Sequence, residues 1–262
     1  MRRAVVAGQF YEGEAKALRR RIEGYIATAE VEIFEEMTGA VVPHAGYVYS
    51  GQVAAHVYAA LPSAETYVIL GPNHRGAGSM VAVSTDTWST PLGEVEIDEG
   101  IVNMLPDRID RDEVAHRYEH SIEVQLPFLQ YRFKDFKIVP ICMGLQDEET
   151  AKKLGAELGN VLKDEDVVIL ASSDFTHYEP NQVARKNDHR IIKSILELDV
   201  STFYSHIYSL QASVCGHGPI ATMMETTRAM GAKKGALLKY ATSGDVTGDY
   251  SSVVGYAGIV ID

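Results

Sequence analysis

Cysteine is scarce: Cys142 and Cys215 are the two in a chain of 262 residues. A pair cannot build a disulfide framework, nor a zinc site of four thiolates. One bridge between them stays open, but free thiols in a reducing compartment suit the composition better. Positive charge is also short, with 24 Lys and Arg against 36 Asp and Glu, a formal net charge of −12. That balance argues against nucleic-acid binding, which needs clustered basic side chains facing phosphates. The one basic cluster, Arg19-Arg20-Arg21, lies in an amphipathic stretch and reads as a solvated helix face. No apolar run approaches the roughly 18 residues that span a bilayer. The apolar start Ala4-Val5-Val6-Ala7 is broken by Gly8, Gln9 and Glu12 before it could act as a signal-peptide h-region. Repeats, low-complexity tracts and linker-like stretches are missing, so a single domain, 1–262, soluble and cytoplasmic, is the expectation.

What is present is ordinary globular composition, 46% hydrophobic and 23% charged, arranged as apolar β-branched runs alternating with helical patterns. Thr38–Val42, Thr66–Leu70, Phe136–Ile141 and Val167–Ala171 predict short buried strands. Ala15–Ala29, Gln52–Leu61, Ile122–Phe133, Thr150–Leu162, Val183–Leu198 and Pro219–Met230 predict helices. Two late runs, Gly235–Thr242 and Ser252–Ile261, flank Gly/Asp/Ser turn chemistry and predict an antiparallel addition. The fold class is α/β: three layers, a mixed and mostly parallel central sheet, helices on both faces.

Ligands in such sheets bind beyond the carboxyl ends of the strands, and the unusual residues cluster there. Val41-Val42 runs into Pro43-His44-Ala45-Gly46-Tyr47. Val68-Ile69-Leu70 runs into Gly71-Pro72-Asn73-His74. Val168-Ile169-Leu170 runs into Ala171-Ser172-Ser173-Asp174-Phe175-Thr176-His177. Three strands thus each deliver a histidine toward one edge. Among the nine histidines, His56, His189 and His206 fall within helical patterns, and His116 is assigned no role. Ser213-Val214-Cys215-Gly216-His217-Gly218-Pro219 places a cysteine just before a helix start, where positive potential favours the thiolate. Cys142, inside an apolar run, reads as a small buried hydrophobe. His120 stands in Tyr118-Glu119-His120-Ser121-Ile122-Glu123, where Ser121 could cap the next helix and Glu123 would sit in its first turn. That leaves His120 and Glu119 free for a supporting or substrate-contacting role, and Tyr47, Glu123 and His217 join them as candidates lining the site.

Two mechanisms use this set. His44, His74 and Cys215 can hold one divalent metal with positions left open, the pattern of catalytic rather than structural sites, and imidazole with thiolate suits Fe(II), Zn(II) or copper. Alternatively Cys215 is a hydrolase nucleophile activated by His177 or His217, with Asp174 orienting the base. No Walker A loop, HExxH helix or GxSxG elbow suggests another.

The segments from Pro43 to Tyr47, Gly71 to His74, Glu119 to Glu123 and Ser172 to His177, with Cys215-Gly216, together resemble the Memo family, named for a mediator of receptor-driven cell motility. The resemblance runs from Gln9-Phe10-Tyr11 to the C-terminus. Memo proteins are similar to catalytic subunits of non-haem iron extradiol ring-cleaving dioxygenases. That similarity implies an α/β fold with a metal cleft at one sheet edge, Fe(II) held by His44, His74 and Cys215, and an acid/base His177 with Asp174 beside it. It also implies a dioxygenase-like redox reaction on a small molecule and a pathway shared with a radical-SAM protein. The dioxygenases use two histidines and a carboxylate, whereas Cys215 stands at the third position here. A non-enzymatic adaptor using the same cleft for a peptide or phosphopeptide is the competing expectation.

Overall fold

The computed structural model describes residues 1–31, 34 and 36–262. Its strands are β1 (Gly39–Val42), β2 (Thr66–Pro72), β3 (Val81–Val83), β4 (Trp88–Thr90), β5 (Gly93–Ile97), β6 (Asp110–Arg111), β7 (Lys137–Met143), β8 (Val167–Ser172), β9 (His177–Glu179), β10 (Gly235–Thr242) and β11 (Val253–Ile261). They join in one mixed sheet whose main path runs β10-β11-β1-β8-β2-β7-β3-β6. The centre, β1, β8, β2 and β7, is parallel. These strands are buried along nearly their whole length, as continuous Val/Ile/Leu runs require when helices cover both faces. Antiparallel pairing lies outside the centre: β11 against β1, β10 against β11, and β3 against β7.

Helices Ala15–Ala27, Tyr47–Ala60 and Leu126–Arg132 pack together, with Tyr47–Ala60 against β1, β10 and β11. Helix His217–Ala229 packs on β1, β2 and β8, backed by Glu148–Leu162 and Val200–Ser209. The closeness of Glu148–Leu162 to His217–Ala229 depends on Gly155 and Gly159. A Cβ on Gly155 would stand 2.5 Å from Glu225 Cβ, and one on Gly159 would stand 2.5 Å from Ala229 Cβ. Among the described residues no helix is long and apolar enough to cross a membrane.

The α/β class and the late antiparallel pair hold. Two boundaries differ for identifiable reasons. The helix expected from Gln52 begins at Tyr47, whose backbone N–H donates to Phe10 O at 2.7 Å. The helix expected from Ile122 opens as a 3-10 turn over Glu123–Gln125 and becomes α-helical at Leu126, with Pro127 in its first turn. Ser121 does not cap it: the hydroxyl donates to Pro72 O at 3.0 Å.

Glu123, expected to line the site, instead anchors the N-terminal segment. Its carboxylate accepts from Arg2 Nη1 at 2.8 Å, from the Val5 and Val6 backbone N–H groups, and from the Tyr11 hydroxyl at 2.8 Å. Arg2 is buried, lies over Trp88 at 3.9 Å, and donates to the carbonyls of His116 and Glu119. Tyr47, also expected at the site, turns into the core and donates to Val124 O at 2.7 Å. His116 is sealed nearby; its Nε2–H donates to Ala82 O at 3.1 Å and its Nδ1 has no partner among the described residues.

Glu123→Ala should therefore lower stability by about 3–5 kcal/mol in urea unfolding, because it strands the buried Arg2 charge. The paired Arg2→Met/Glu123→Leu variant should lose distinctly less. Burial pushes the His116 imidazole down to about 4 from its ordinary 6.5. The unfolded chain then binds more protons than the folded one between these values, so the stability due to a neutral His116 is complete above pH 6.5 and drains away as pH falls toward 4. Urea midpoints measured from about pH 7 to about pH 4 should fall less steeply in His116→Phe than in the wild type.

Candidate metal site

β1, β8 and β2 end level because they pair in parallel register: Val42 opposite Ser172, and Leu70 opposite Ala171. His44 and His74 leave the ends of β1 and β2 side by side, their ring centroids 5.1 Å apart and nearly perpendicular. Cys215 reaches the same point just before helix His217–Ala229, with Sγ 3.2 Å from His44 Nε2. One donor atom from each of His44, His74 and Cys215 lies within 4.8 Å of the others. Three elements distant in sequence thus converge their donors.

The surroundings commit one nitrogen of each ring. His74 Nδ1 is 2.9 Å from Glu119 Oε1, while its backbone N–H donates to Oε2 at 2.6 Å. Burial pushes the Glu119 carboxyl up. The hydrogen bond and charge of His74, the charge of His120 and the Ser121 N–H outweigh it and hold the group well below the ordinary carboxylate range. An ionised carboxylate only accepts, so in the neutral ring the His74 proton sits on Nδ1 and Nε2 is bare. The His120 and Ser121 N–H groups donate to Oε1 as well, at 2.8 and 2.9 Å. The Glu119 oxygens are therefore occupied, and Glu119 serves as an orienting acceptor although it also lies near His74 and His120 in metal-ligating geometry. Burial pushes His44 well below its ordinary range, with the charges of His74 and His120 adding to the effect.

His120 stacks on His74 with centroids 4.8 Å apart, stands edge-on to His44 at 5.4 Å, and is covered by Phe10 at 4.7 Å. Burial pushes it down to about 4, so it completes the wall as a neutral ring. His217 turns away: its Nδ1 donates to Val214 O at 2.9 Å and its ring meets Tyr204.

Asp174 does not orient His177. Its Oδ1 accepts from the His44 and Ala45 backbone N–H groups at 2.8 and 3.3 Å. Its own N–H donates to Cys215 Sγ at 3.2 Å. Asp174 thus clamps the segments of two candidate ligands together, and burial pushes its carboxyl up. His177 is held by Ser213, whose carbonyl accepts from Nδ1 at 2.9 Å and whose hydroxyl accepts from the backbone N–H at 2.7 Å. A carbonyl can only accept, so in the neutral ring the His177 proton sits on Nδ1 and Nε2 is bare. His177 remains close enough for its charge to bear on both His44 and Asp174.

The expected low thiol pKa of Cys215 is reversed. Burial pushes the thiol up, and the nearby Asp174 charge adds to the shift, outweighing the helix-start potential. Its imidazole neighbour is His44, not the His177 or His217 that a hydrolase would use. Residues that the sequence reading passed over are Ser213 and Tyr256. The Tyr256 ring is buried, close enough to Asp174, Tyr49 and Tyr178 for their charges to bear on it, and its hydroxyl, which is not sealed from solvent, has no hydrogen-bond partner among the described residues. A wide acidic cleft of about 560 Å³ at the opposite sheet edge, lined by Thr66, Glu94, Asp98 and Lys137, holds no histidine or cysteine.

The sequence matches the family model described as Memo-like protein over residues 2–260. The chain belongs to the Memo family. It is 53% identical to a MEMO1 family protein of Methanosarcina barkeri, with all of both chains covered. It is 52% identical to a MEMO1 family protein of Archaeoglobus fulgidus, over 99% of each. An uncharacterized protein of Escherichia coli K12 aligns in structure with TM-score 0.57 and 13% identity, covering 86% of this chain and 100% of that one; at that identity the likeness bears on the fold alone. In this Memo chain the thiol labelling pattern follows from burial. Iodoacetamide should modify Cys215 in the metal-free protein and leave the fully buried Cys142 untouched. The Cys215 rate, followed by peptide mass spectrometry, should climb from about pH 7 to beyond about pH 9 without a plateau.

Proposed function

We propose that this Memo chain binds one divalent metal, Fe(II) first among the candidates, through His44, His74 and Cys215, and acts as a dioxygenase-like redox enzyme on a small molecule. The carrying observation is the convergence of the three donors within 4.8 Å, with His74 Nδ1 committed to Glu119 so that its other nitrogen is bare. Two imidazoles and a sulfur fit Fe(II), Zn(II) or copper, and His74 is exposed, which leaves one side open to an incoming molecule. When bound, a metal in this set supplies a Lewis-acidic, redox-capable centre with vacant positions. Cys215 donates more charge than the carboxylate of the ring-cleaving enzymes, so the proposal stops at redox chemistry and does not extend to ring cleavage. His177, with Nδ1 tied to Ser213 and Nε2 bare, takes or returns a proton at Nε2. The unpaired Tyr256 hydroxyl is free to hydrogen-bond a bound molecule. A peptide-binding adaptor would have no use for bare donor nitrogens gathered around a part-buried thiol, and the metal reading accounts for them. A radical-SAM protein as pathway partner belongs to the same proposal.

Metal analysis of anaerobically purified protein tests it. The wild type should carry about one metal per chain, the His44→Ala/His74→Ala variant almost none, and His177→Gln the wild-type amount, since a two-ligand remnant holds metal poorly while His177 is no ligand. Stoichiometric metal in the double variant would overturn the assignment.

A further inference from the structure

The hydrogen bonds behind His44 form a chain whose directions are forced one after another. Pro43 O can only accept, so the Gln125 atom 3.0 Å from it is Nε2. The Gln125 Oε1 atom is then the acceptor of the Tyr58 hydroxyl at 2.8 Å, and Nε2 spends its second proton on Ser172 Oγ at 2.8 Å. Ser121 O, likewise an acceptor only, lies 2.6 Å from Ser172 Oγ and takes the single hydroxyl proton of Ser172. Ser172 Oγ therefore has nothing left to donate to His44 Nδ1, 2.9 Å away; it can only accept there. The proton of His44 must sit on Nδ1, and Nε2 faces Cys215 Sγ without one. Tyr58, Gln125 and Ser172 are all fully buried, so water cannot reverse these directions.

We propose that Tyr58, Gln125 and Ser172 are positioning residues whose relay of hydrogen bonds fixes the His44 tautomer and presents a bare Nε2 to the metal. This inference rests on the metal reading above and adds to it three residues that would not touch the metal. It also explains three polar side chains in the core, where apolar residues of similar volume would avoid any risk of an unmade hydrogen bond. The relay starts in the segment that carries Glu119, since Ser121 and Gln125 follow it directly. One segment thus sets the tautomers of both histidines, His74 through Glu119 and His44 through Ser172.

The test reads the tautomer directly, by long-range proton–nitrogen correlation NMR on the metal-free full chain, and then Zn(II) affinity by competition with a chromophoric chelator. The wild type should show His44 protonated at Nδ1. Ser172→Ala should let the proton move to Nε2, where Cys215 Sγ can accept it, and should weaken Zn(II) binding by about 10- to 100-fold. Ser172→Thr keeps the hydroxyl and should restore both. A wild-type His44 protonated at Nε2 would overturn the proposal, and this spectrum needs no variant to fold. An unchanged tautomer and unchanged Zn(II) affinity in a folded Ser172→Ala would also overturn it. A wild type with the Nδ1 proton in place that takes up no Zn(II) would support the relay as a tautomer lock and count against the metal reading instead.

Discussion

The site depends on β1, β8 and β2 running in the same direction and ending at the same level. At about 3.3 Å per residue, a strand of six residues spans about 20 Å. Had β2 run the other way, His74 would lie about that far from His44, and no loop rearrangement of ordinary size would reunite them. Parallel pairing demands crossovers, and the crossover into His217–Ala229 brings Cys215 to the same edge. Burial of the central strands on both faces then makes the register hard to slip, since a one-residue shift would exchange every buried side chain for its opposite.

Charge burial is the second constraint, and it links stability to the site. Glu119 and Glu123 are both almost completely buried in a segment of five residues. Removing a carboxylate from water costs several kcal/mol unless hydrogen bonds and a countercharge replace it. Glu123 obtains both from the N-terminal segment: Arg2, two backbone N–H groups and Tyr11. Glu119 obtains its bonds from the His74 ring and three backbone N–H groups. Arg2 joins the two by donating to Glu119 O while pairing with Glu123. The chain start, remote in sequence from every candidate ligand, thereby holds the loop that orients His74.

The strand-end positions of the candidate ligands could be read from sequence because strand ends are marked twice, by an apolar β-branched run and by the polar residue that stops it. His44, His74 and the Asp174–His177 segment all announced themselves this way. Side-chain partners could not be read so, since they depend on which loops face each other. Asp174 stands three residues from His177, yet its carboxyl reaches the His44 and Ala45 backbone, while Ser213 comes from another segment to hold His177. The thiol shift of Cys215 is not legible in sequence for a related reason: the helix start is local and visible, whereas the desolvation that overrides it comes from the assembled fold. Short strands such as β3, β4, β6 and β9 are too brief to show alternation. Helix Val200–Ser209 lacked a listener in the pattern because Thr, Tyr and Ser break its apolar stripe, although Asp199 caps it through the Thr202 N–H. Gln125 and Ser172 did carry a signal, polar residues beside long apolar runs, but its meaning appears only with their bonding partners.

The fold supports His44 and His74 differently from His177, and that difference matches the two roles proposed for them. His44 and His74 sit at the ends of central strands, each with one nitrogen fixed by a buried acceptor, and a preset tautomer reduces the reorganisation that metal binding would require. His177 lies instead at the start of β9, a three-residue strand paired only to β11, and it is part-exposed. Its neighbour Tyr178 has φ of 62° and is 78% exposed. A tyrosine in the left-handed region costs about 1–3 kcal/mol and persists only where surrounding structure enforces it; here that structure includes the Ser213 bonds to His177 and the β9–β11 pairing. Atoms that would hold a metal gain from being immobile. A group that exchanges protons needs a defined tautomer together with access to whatever enters the cleft, and His177 has both.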